Sequence, residues 1–337
     1  MVRFLAFLVF ALALGVSGAA RADFAIRDGV LVERDGSPFI MRGINVPHAW
    51  LSQHTDQSLA DIAATGANTV RIVLSSGARW RRSEPSEVAH LVALAKRHRM
   101  IVVLEVHDTT GFGADERAVH LGAVLAYWAE LRDVLQGEED YVLINIGNEP
   151  FAGRSTPAMW IEAHRTAIAA LRAMGFRHTI VIDGADYGQD ASGTMRDHAR
   201  DLFDGDPLRN VLFSVHMYQV YGRGETIEAY LDAFRDARLP LIVGEFGMDH
   251  QGEPVDEEAI FRLSNERGIG YLGWSWSGNS QRVADLDIVR NFDAERLSPW
   301  GERLINGAGG IRETSRPAHV YAQPRGFWPR VRGWFTR

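Results

Sequence analysis

The chain of 337 residues contains no cysteine. This absence excludes disulfides, thiol nucleophiles and cysteine-based zinc sites, so packing alone must stabilise the fold. The chain also lacks a net positive charge, since its formal charge at pH 7 is −7. A net acidic chain is a poor binder of nucleic acid and suits a neutral substrate. We therefore expect no nucleic-acid partner.

The N-terminal apolar stretch is too short to cross a bilayer. It runs from Phe4 to Val16, about 13 residues against the roughly 20 that a spanning helix needs. With Arg3 before it and Ala20-Arg21-Ala22 after it, it predicts a signal peptide over residues 1–22 rather than the alternative, a membrane anchor. Cleavage near Ala22 would leave a secreted or periplasmic chain with a net charge of −9 and no stable membrane span.

Eight apolar, strand-like runs follow a small N-terminal β-hairpin that is marked by turn signals at Asp28-Gly29 and Asp35-Gly36. Continuous apolar runs are typical of parallel strands that are buried on both faces. Helical patterns separate the runs, and Gly66, Gly175 and Gly268 stand where helices should end. This α/β alternation predicts a single (β/α)8 TIM barrel over residues 23–315. The runs are 39–46, 68–74, 100–107, 141–147, 179–183, 211–217, 240–245 and 269–275.

Residues 316–337 form a basic and aromatic C-terminal tail. It contains five arginines, no acid, and Phe327, Trp328, Trp334 and Phe335. One interpretation is an interfacial segment that touches anionic lipid or polysaccharide. The other is an extension that packs loosely or stays disordered, and the role of the tail is left open.

Two acidic residues end apolar runs far apart in the sequence. Glu149 follows Ile144-Asn145-Ile146-Gly147-Asn148, and Glu245 follows Leu241-Ile242-Val243-Gly244. A carboxylate at the end of a buried strand is costly unless it has partners or performs chemistry. Because the active groups of a (β/α)8 barrel lie at the carboxyl ends of its strands, other side chains should share this opening. They are Arg71, His107, Asn148, His216, Tyr218 and Trp274.

This set of side chains fits the cleavage of a glycosidic bond. One carboxyl must be protonated to donate to the leaving oxygen, and the other must be ionised to attack the sugar or to activate water. Burial and like charge raise the pKa of the donor, whereas an arginine and hydrogen-bond donors keep the second carboxyl ionised. An asparagine beside the acid can bind the sugar 2-hydroxyl, and a tryptophan can stack on the pyranose.

The sequence around these residues resembles glycoside hydrolase family 5, whose signature is Asn-Glu-Pro at the end of strand four. The resemblance covers residues 38–314. The resemblance implies that Glu149 is the acid/base and Glu245 the nucleophile. It also implies that Arg71 and Tyr218 orient and ionise Glu245, and that Asn148 holds the 2-hydroxyl. His216 would hydrogen-bond near the acid/base, Trp274 would carry the sugar in the cleavage subsite, and His107 completes the family's set.

Other short sequence motifs resemble those of the bacterial endo-β-1,4-mannanases of this family. They include Met41-Arg42-Gly43-Ile44-Asn45, Pro47-His48-Ala49-Trp50 and Trp274-Ser275-Trp276-Ser277-Gly278-Asn279. The resemblance implies a retaining endo-hydrolase of mannan, glucomannan or galactomannan, with carboxyl groups roughly 5–5.5 Å apart. The alternatives are an endo-β-1,4-glucanase with the same residues, an inactive glycan-binding barrel and a metal-dependent hydrolase. One departure is Arg79-Trp80-Arg81-Arg82, which is unexpectedly basic beside a neutral-glycan cleft.

Aromatic residues at loop positions predict an extended groove. We expect Trp50, Trp80 and Trp276 to be sugar platforms, whereas the helical spacing of Trp160 with His164 and Ala167 assigns it to the core. No cluster has convincing metal-ligand spacing, so we predict no cofactor, no catalytic metal and insensitivity to chelators. We also expect a monomer.

Overall fold

The computed structural model describes residues 24–322. Eight parallel strands form a closed barrel in chain order, with the last strand paired to the first. Each predicted run overlaps one barrel strand, so the predicted (β/α)8 barrel is confirmed. The predicted signal peptide, residues 1–22, and residues 323–337 of the tail lie outside the described residues. The strands are β1 Arg42–Val46, β2 Thr69–Leu74, β3 Ile101–Val106, β4 Val142–Asn145, β5 Ile180–Asp183, β6 Val211–Met217, β7 Leu241–Phe246 and β8 Gly270–Gly273.

A helix follows each barrel strand. Local signals set the helix ends: Glu84 and Glu87 form a capping box at the start of α2. Gly268 ends α7 with φ +65°, a conformation that favours glycine. The helices are α1 Thr55–Ala64, α2 Pro85–Arg97, α3 Leu125–Glu130 (continued by Arg132–Leu135), α4 Pro157–Ala173, α5 Thr194–Gly205, α6 Gly224–Asp236, α7 Glu257–Arg267 and α8 Pro299–Asn306, with two short helices, His48–Leu51 and Ile311–Thr314.

The predicted N-terminal hairpin is present as Ala25–Arg27 paired antiparallel with Val30–Val32. Its buried side chains pack under the barrel together with Phe24 and Phe39. The first residues of the predicted tail also pack on this end, because Ala318 is buried and the Tyr321 hydroxyl donates to the Met100 carbonyl at 2.8 Å. The hairpin and residues 316–322 therefore close the N-terminal end of the barrel and leave its opposite end open.

Two further antiparallel pairs lie in loops at the carboxyl ends of the strands. Asp249–His250 pairs with Glu253–Pro254 after β7, and Val289–Arg290 pairs with Asp293–Leu297 after β8. Trp160 is fully buried between barrel and helices, as its helical spacing predicts. Within residues 24–322, none of the helices has the length and apolar character that a bilayer crossing requires.

Candidate active site

The two glutamates that the sequence places at strand ends meet at the open end of the barrel. Glu245 lies in β7, and Glu149 lies four residues beyond the end of β4. Both are buried, and an oxygen of each lies within 4.8 Å of an oxygen of the other. Retaining glycosidases hold their carboxyl groups roughly 5–5.5 Å apart, and inverting enzymes roughly 6.5–9.5 Å apart. A bound of 4.8 Å between these oxygens fits the shorter of the two separations.

Glu149 has the surroundings of a proton donor. Burial raises the pKa of its carboxyl, and nearby Glu245 raises it further, against the opposing effect of His216. His216 Nδ1 lies 2.8 Å from Glu149 Oε1. The backbone of Glu149 has φ +41°, a strained conformation for a residue with a side chain, and its N–H donates to Asp183. The carboxyl carried by this strained backbone lies against His216 and close to Glu245.

Glu245 has the surroundings of an anion. Arg71 Nη1 donates to Glu245 Oε1 at 2.8 Å, and the Tyr218 hydroxyl donates to Oε2 at 3.0 Å. Two donors, one of them charged, fix the orientation of this carboxyl group. Burial thus favours the protonated form of Glu149, whereas two hydrogen-bond donors hold the Glu245 carboxyl in place.

Arg71 connects the site from within the barrel. It is buried, and besides Glu245 it donates to Asn45, Asn145, Asn148 and Asp183. Burial by itself lowers the pKa of the guanidinium, but the surrounding carboxylates raise it above its ordinary value. The buried cation is therefore fully partnered and stays charged.

His216 is a second cation in the site. Although burial lowers its pKa, the charges of Glu245 and Asp183 raise the pKa of the imidazole to about 10. Its Nε2 lies 3.5 Å from Asp183 Oδ2. In turn, His216 and Arg71 overcome the effect of burial and hold the pKa of Asp183 well below its usual range. The site thus balances buried acids against two buried cations.

A cavity of about 470 Å³ lies above the two glutamates. Trp274 and His107 line it together, with their rings stacked at 5.8 Å between centroids. Trp50 and Trp80 are half-buried beside His107, at 5.1 and 5.5 Å. The structure therefore brings both predicted loop platforms next to the side of the cavity that Trp274 and His107 form.

Trp276 does not belong to this groove, so its predicted role as a sugar platform is wrong. Its side chain is 1 % exposed and lies in the core between barrel and helices. Strand β8 ends at Gly273, and the peptide N–H groups of Ser275 and Trp276 bond the carbonyls of Leu286 and Asn45. Because the chain turns there, the indole is covered and offers no face to a sugar.

Several site residues do not follow from the strand-end pattern. Asn45, Glu105, Asn145 and Asp183 lie inside the barrel and contact Arg71 or His107. The available signal is a single polar residue within an otherwise apolar strand, since burying such a residue requires a partner. The cavity is also lined by Tyr187, Gln189 and His250 from loops, where no periodic pattern identifies them.

Among the described residues, one group of side chains has atoms close enough together to hold a metal ion: Glu149, His216 and Glu245. Hydrogen bonds already engage these atoms, from His216 to Glu149 and from Arg71 and Tyr218 to Glu245. Charged His216 and Arg71 would also repel a cation. The donor set fits a hydrogen-bonded carboxyl pair better than a metal centre.

Two carboxyls in opposite environments at the carboxyl ends of β4 and β7, beneath an aromatic cavity, define a glycoside hydrolase of the (β/α)8 type. Residues 32–280 match the family model described as cellulase, glycosyl hydrolase family 5. The chain belongs to glycosyl hydrolase family 5.

Similar proteins within the family are mannanases by name. The mannan endo-1,4-beta-mannosidase of Cellvibrio japonicus is 50% identical over 303 residues, which are 90% of this chain and 70% of that protein. The enzyme of the same name from Streptomyces lividans is 47% identical, over 93% of this chain and 82% of that protein. A mannotriose complex of Thermomonospora fusca beta-mannanase has a TM-score of 0.86 and 50% identity, and covers 89% of this chain and 99% of its own.

Proposed function

We propose that this chain is a retaining endo-β-1,4-mannanase that hydrolyses mannan, glucomannan or galactomannan by double displacement. The observation that carries the mechanism is the carboxyl pair, whose oxygens lie within 4.8 Å and whose members are held in opposite environments by His216 and Arg71. The substrate rests on the similar proteins named above, which are mannanases at about half identity.

The first displacement forms a glycosyl-enzyme. The Glu245 carboxylate attacks the anomeric carbon, and the bond from that carbon to the leaving oxygen breaks. The proton of Glu149 passes to the leaving oxygen, and the shortened chain departs. Tyr218 and Arg71 aim the attacking carboxylate, since each donates to one of its oxygens.

The second displacement releases the sugar. Glu149, now ionised, accepts a proton from water, whose oxygen attacks the anomeric carbon and frees Glu245. Charged His216 stabilises the Glu149 carboxylate at this stage, because its Nδ1 lies 2.8 Å from Oε1. Two inversions at one carbon give net retention.

Asn148 is the residue best placed to bind the sugar 2-hydroxyl. Arg71 donates to its side-chain oxygen at 2.6 Å, and its amide donates to the Thr110 hydroxyl at 2.9 Å. These contacts fix the amide plane and leave one N–H for the substrate. Mannose and glucose differ at this hydroxyl, so the contact bears on the choice between them.

Relative rates on two polysaccharides test the substrate. We expect faster release of reducing sugar from mannan than from carboxymethyl cellulose. Faster release from cellulose would instead identify an endo-β-1,4-glucanase with the same catalytic residues.

Glu245→Ala tests the mechanism and separates an enzyme from a glycan-binding barrel. Loss of a covalent nucleophile should lower kcat on the order of 10⁴-fold or more, while calorimetry still detects oligosaccharide binding. Turnover at the wild-type rate would overturn the assignment of the nucleophile.

We also propose that the chain acts as a monomer after export and cleavage near Ala22, and that it binds no nucleic acid. The net negative charge supports the absence of nucleic-acid binding, and the signal-like N-terminus supports export and cleavage. Sedimentation and N-terminal sequencing of the exported protein test it, and a dimer or an uncleaved N-terminus would contradict it.

A further inference from the structure

The string Arg79-Trp80-Arg81-Arg82 lies in the loop of residues 75–83, between β2 and α2, which we call the Trp80 loop. Buried Asp108 anchors this loop by accepting hydrogen bonds from the Ser75 hydroxyl and from the peptide N–H groups of Ser76 and Arg79. The Ser83 N–H closes the loop by donating to the Ser75 carbonyl at 2.9 Å. These hydrogen bonds fix the backbone of the Trp80 loop, and none of them involves an arginine side chain.

Two of the three arginines serve the fold. Arg81 forms an ion pair with Glu87 on the exposed surface of α2. Arg82 pairs with Glu130 of α3 and lies over the ring of Tyr127. Both contacts hold the loop to the neighbouring helices, away from the cavity.

Arg79 differs because it faces Trp80. Its guanidinium lies 4.5 Å from the centre of the Trp80 ring. The same group donates to the Thr110 carbonyl at 2.9 Å and to Asp115 at 2.6 Å. These bonds fix the guanidinium to the loop that follows β3, so it cannot follow the indole if Trp80 moves.

Trp80 in turn contacts the aromatic wall of the cavity. Its ring lies 5.3 Å from the ring of Trp50 and 5.5 Å from the ring of His107. His107 is fixed by Glu105 and stacks with Trp274 inside the cavity. A continuous row of rings thus extends from the cleavage site to Trp80, with the Arg79 guanidinium packed against its last member.

We propose that Arg79 is a positioning residue that fixes the Trp80 indole at the outer end of the cleft and so sets the affinity for sugars beyond the cleavage site. It touches none of the reacting atoms. The proposal rests on the proposed glycan-cleaving function. The proposal also accounts for a basic residue in a loop beside a neutral-glycan cleft, because the positive charge of Arg79 pairs with Asp115 and packs on the Trp80 ring.

Kinetics on short and long manno-oligosaccharides test the proposal. Arg79→Met keeps most of the side-chain volume but removes the cation and the fork of donors. We expect KM for mannohexaose to rise about 2- to 10-fold, as loss of one cation–π contact implies, with kcat and the KM for mannotriose nearly unchanged. Arg79→Lys keeps a cation near the ring and should recover part of the affinity.

Arg117→Met is the matched control. Arg117 bonds the same Asp115 at 2.9 Å but is 76 % exposed, and within residues 24–322 the guanidinium over the Trp80 ring is that of Arg79. It should leave both KM values at the wild-type level. A rise equal to that of Arg79→Met would show that the Asp115 ion pair, not the indole, matters, and would overturn the proposal.

A double-variant cycle decides whether Arg79 acts through Trp80. In a Trp80→Ala background, Arg79→Met should raise KM for mannohexaose no further. Additive effects, an unchanged KM in the single variant, or an equal loss of kcat on both substrates would each overturn the proposal. The same kinetics with cellohexaose separate the substrate from the role of Arg79. A wild-type preference for cellohexaose would contradict the mannan substrate. The effect of Arg79→Met on KM could still be measured on cellohexaose.

Discussion

The interior of the barrel has two layers of opposite character. At the closed end the inward side chains are apolar and include Val103, Leu143 and Val181. Two residues further along the same strands they are Glu105, Asn145 and Asp183, all buried. Because side chains two apart on a strand share a face, each of these strands changes from apolar to polar within one step.

The difference separates stability from chemistry. Apolar side chains in the lower layer stabilise the fold by burial and need no partners. The upper layer buries acids and cations whose desolvation cost is offset by pairing, and such networks add little net stability. Its arrangement is therefore explained by the reaction at Glu149 and Glu245, not by the needs of the fold.

Arg71→Met should break the upper layer most completely. It removes a cation that Glu245, Asp183 and three asparagines share, and leaves buried carboxylates without a charge partner. Breaking one side of such a network destabilises by about 3–5 kcal/mol. Loss of the donor to Glu245 should lower kcat about 10²–10³-fold or more. Urea unfolding and steady-state kinetics measure the two effects.

Arg71→Lys is the control for this variant. Lysine keeps the charge but cannot reproduce the planar fork that reaches Glu245, Asn145 and Asn148 together. Relative to Arg71→Met, this variant should regain most of the free energy of unfolding but little of kcat. A kcat within threefold of wild type in Arg71→Met would show that the upper layer does not organise the nucleophile.

Glu149→Gln should lower turnover as strongly as Arg71→Met but leave the Arg71 network intact, because a general acid contributes about 10²–10⁴-fold. The acid works in its protonated form. Since burial and Glu245 raise the pKa of Glu149, activity should fall on the alkaline side as pH rises through that raised pKa. The variant should lose this alkaline limb of kcat/KM.

The leaving group provides a control for Glu149→Gln. A dinitrophenyl glycoside needs no protonation to depart, so formation of the glycosyl-enzyme should be almost as fast in the variant as in the wild type. Equal losses on this substrate and on mannan would argue that Glu149 is not the acid.

The fold and the centre of the site could be predicted from the sequence for identifiable reasons. Parallel strands that are buried on both faces have continuous apolar sequences, so all eight barrel strands can be recognised in the sequence. Glu149 and Glu245 stand out because each interrupts the end of such a run. The carboxyl ends of parallel strands meet, and for this reason residues about a hundred positions apart could be assigned to one site.

Other features depend on three-dimensional packing. Trp274 and Trp276 are two positions apart, yet one lines the cavity and the other is in the core. The alternation of side chains along a strand does not apply beyond Gly273, where β8 ends. The turn after β8 therefore determines which of the two indoles faces the cavity. Similarly, the sequence shows that Arg79 is basic but not that it faces Trp80, since the loop after β3 supplies the bonds that hold it.

Leu143→Ala should have the smallest effect on turnover. Leu143 is fully buried in the lower layer, and its truncation should cost about 2–5 kcal/mol of stability. The reacting groups lie beyond it and are held by Arg71 rather than by Leu143, so kcat should stay within twofold of wild type at a temperature where the variant is folded. Urea unfolding and kinetics on the same samples give both values.

Asn145→Ala is the matched variant two residues further along the same strand. Its oxygen accepts from both Arg71 Nε and Nη2, so the truncation should release the guanidinium and lower kcat more than Leu143→Ala does. If Leu143→Ala lowered kcat as strongly, the two layers would be one cooperative unit. In that case the precision of the carboxyl pair would come from packing at the closed end of the barrel, and not from the hydrogen bonds around Arg71.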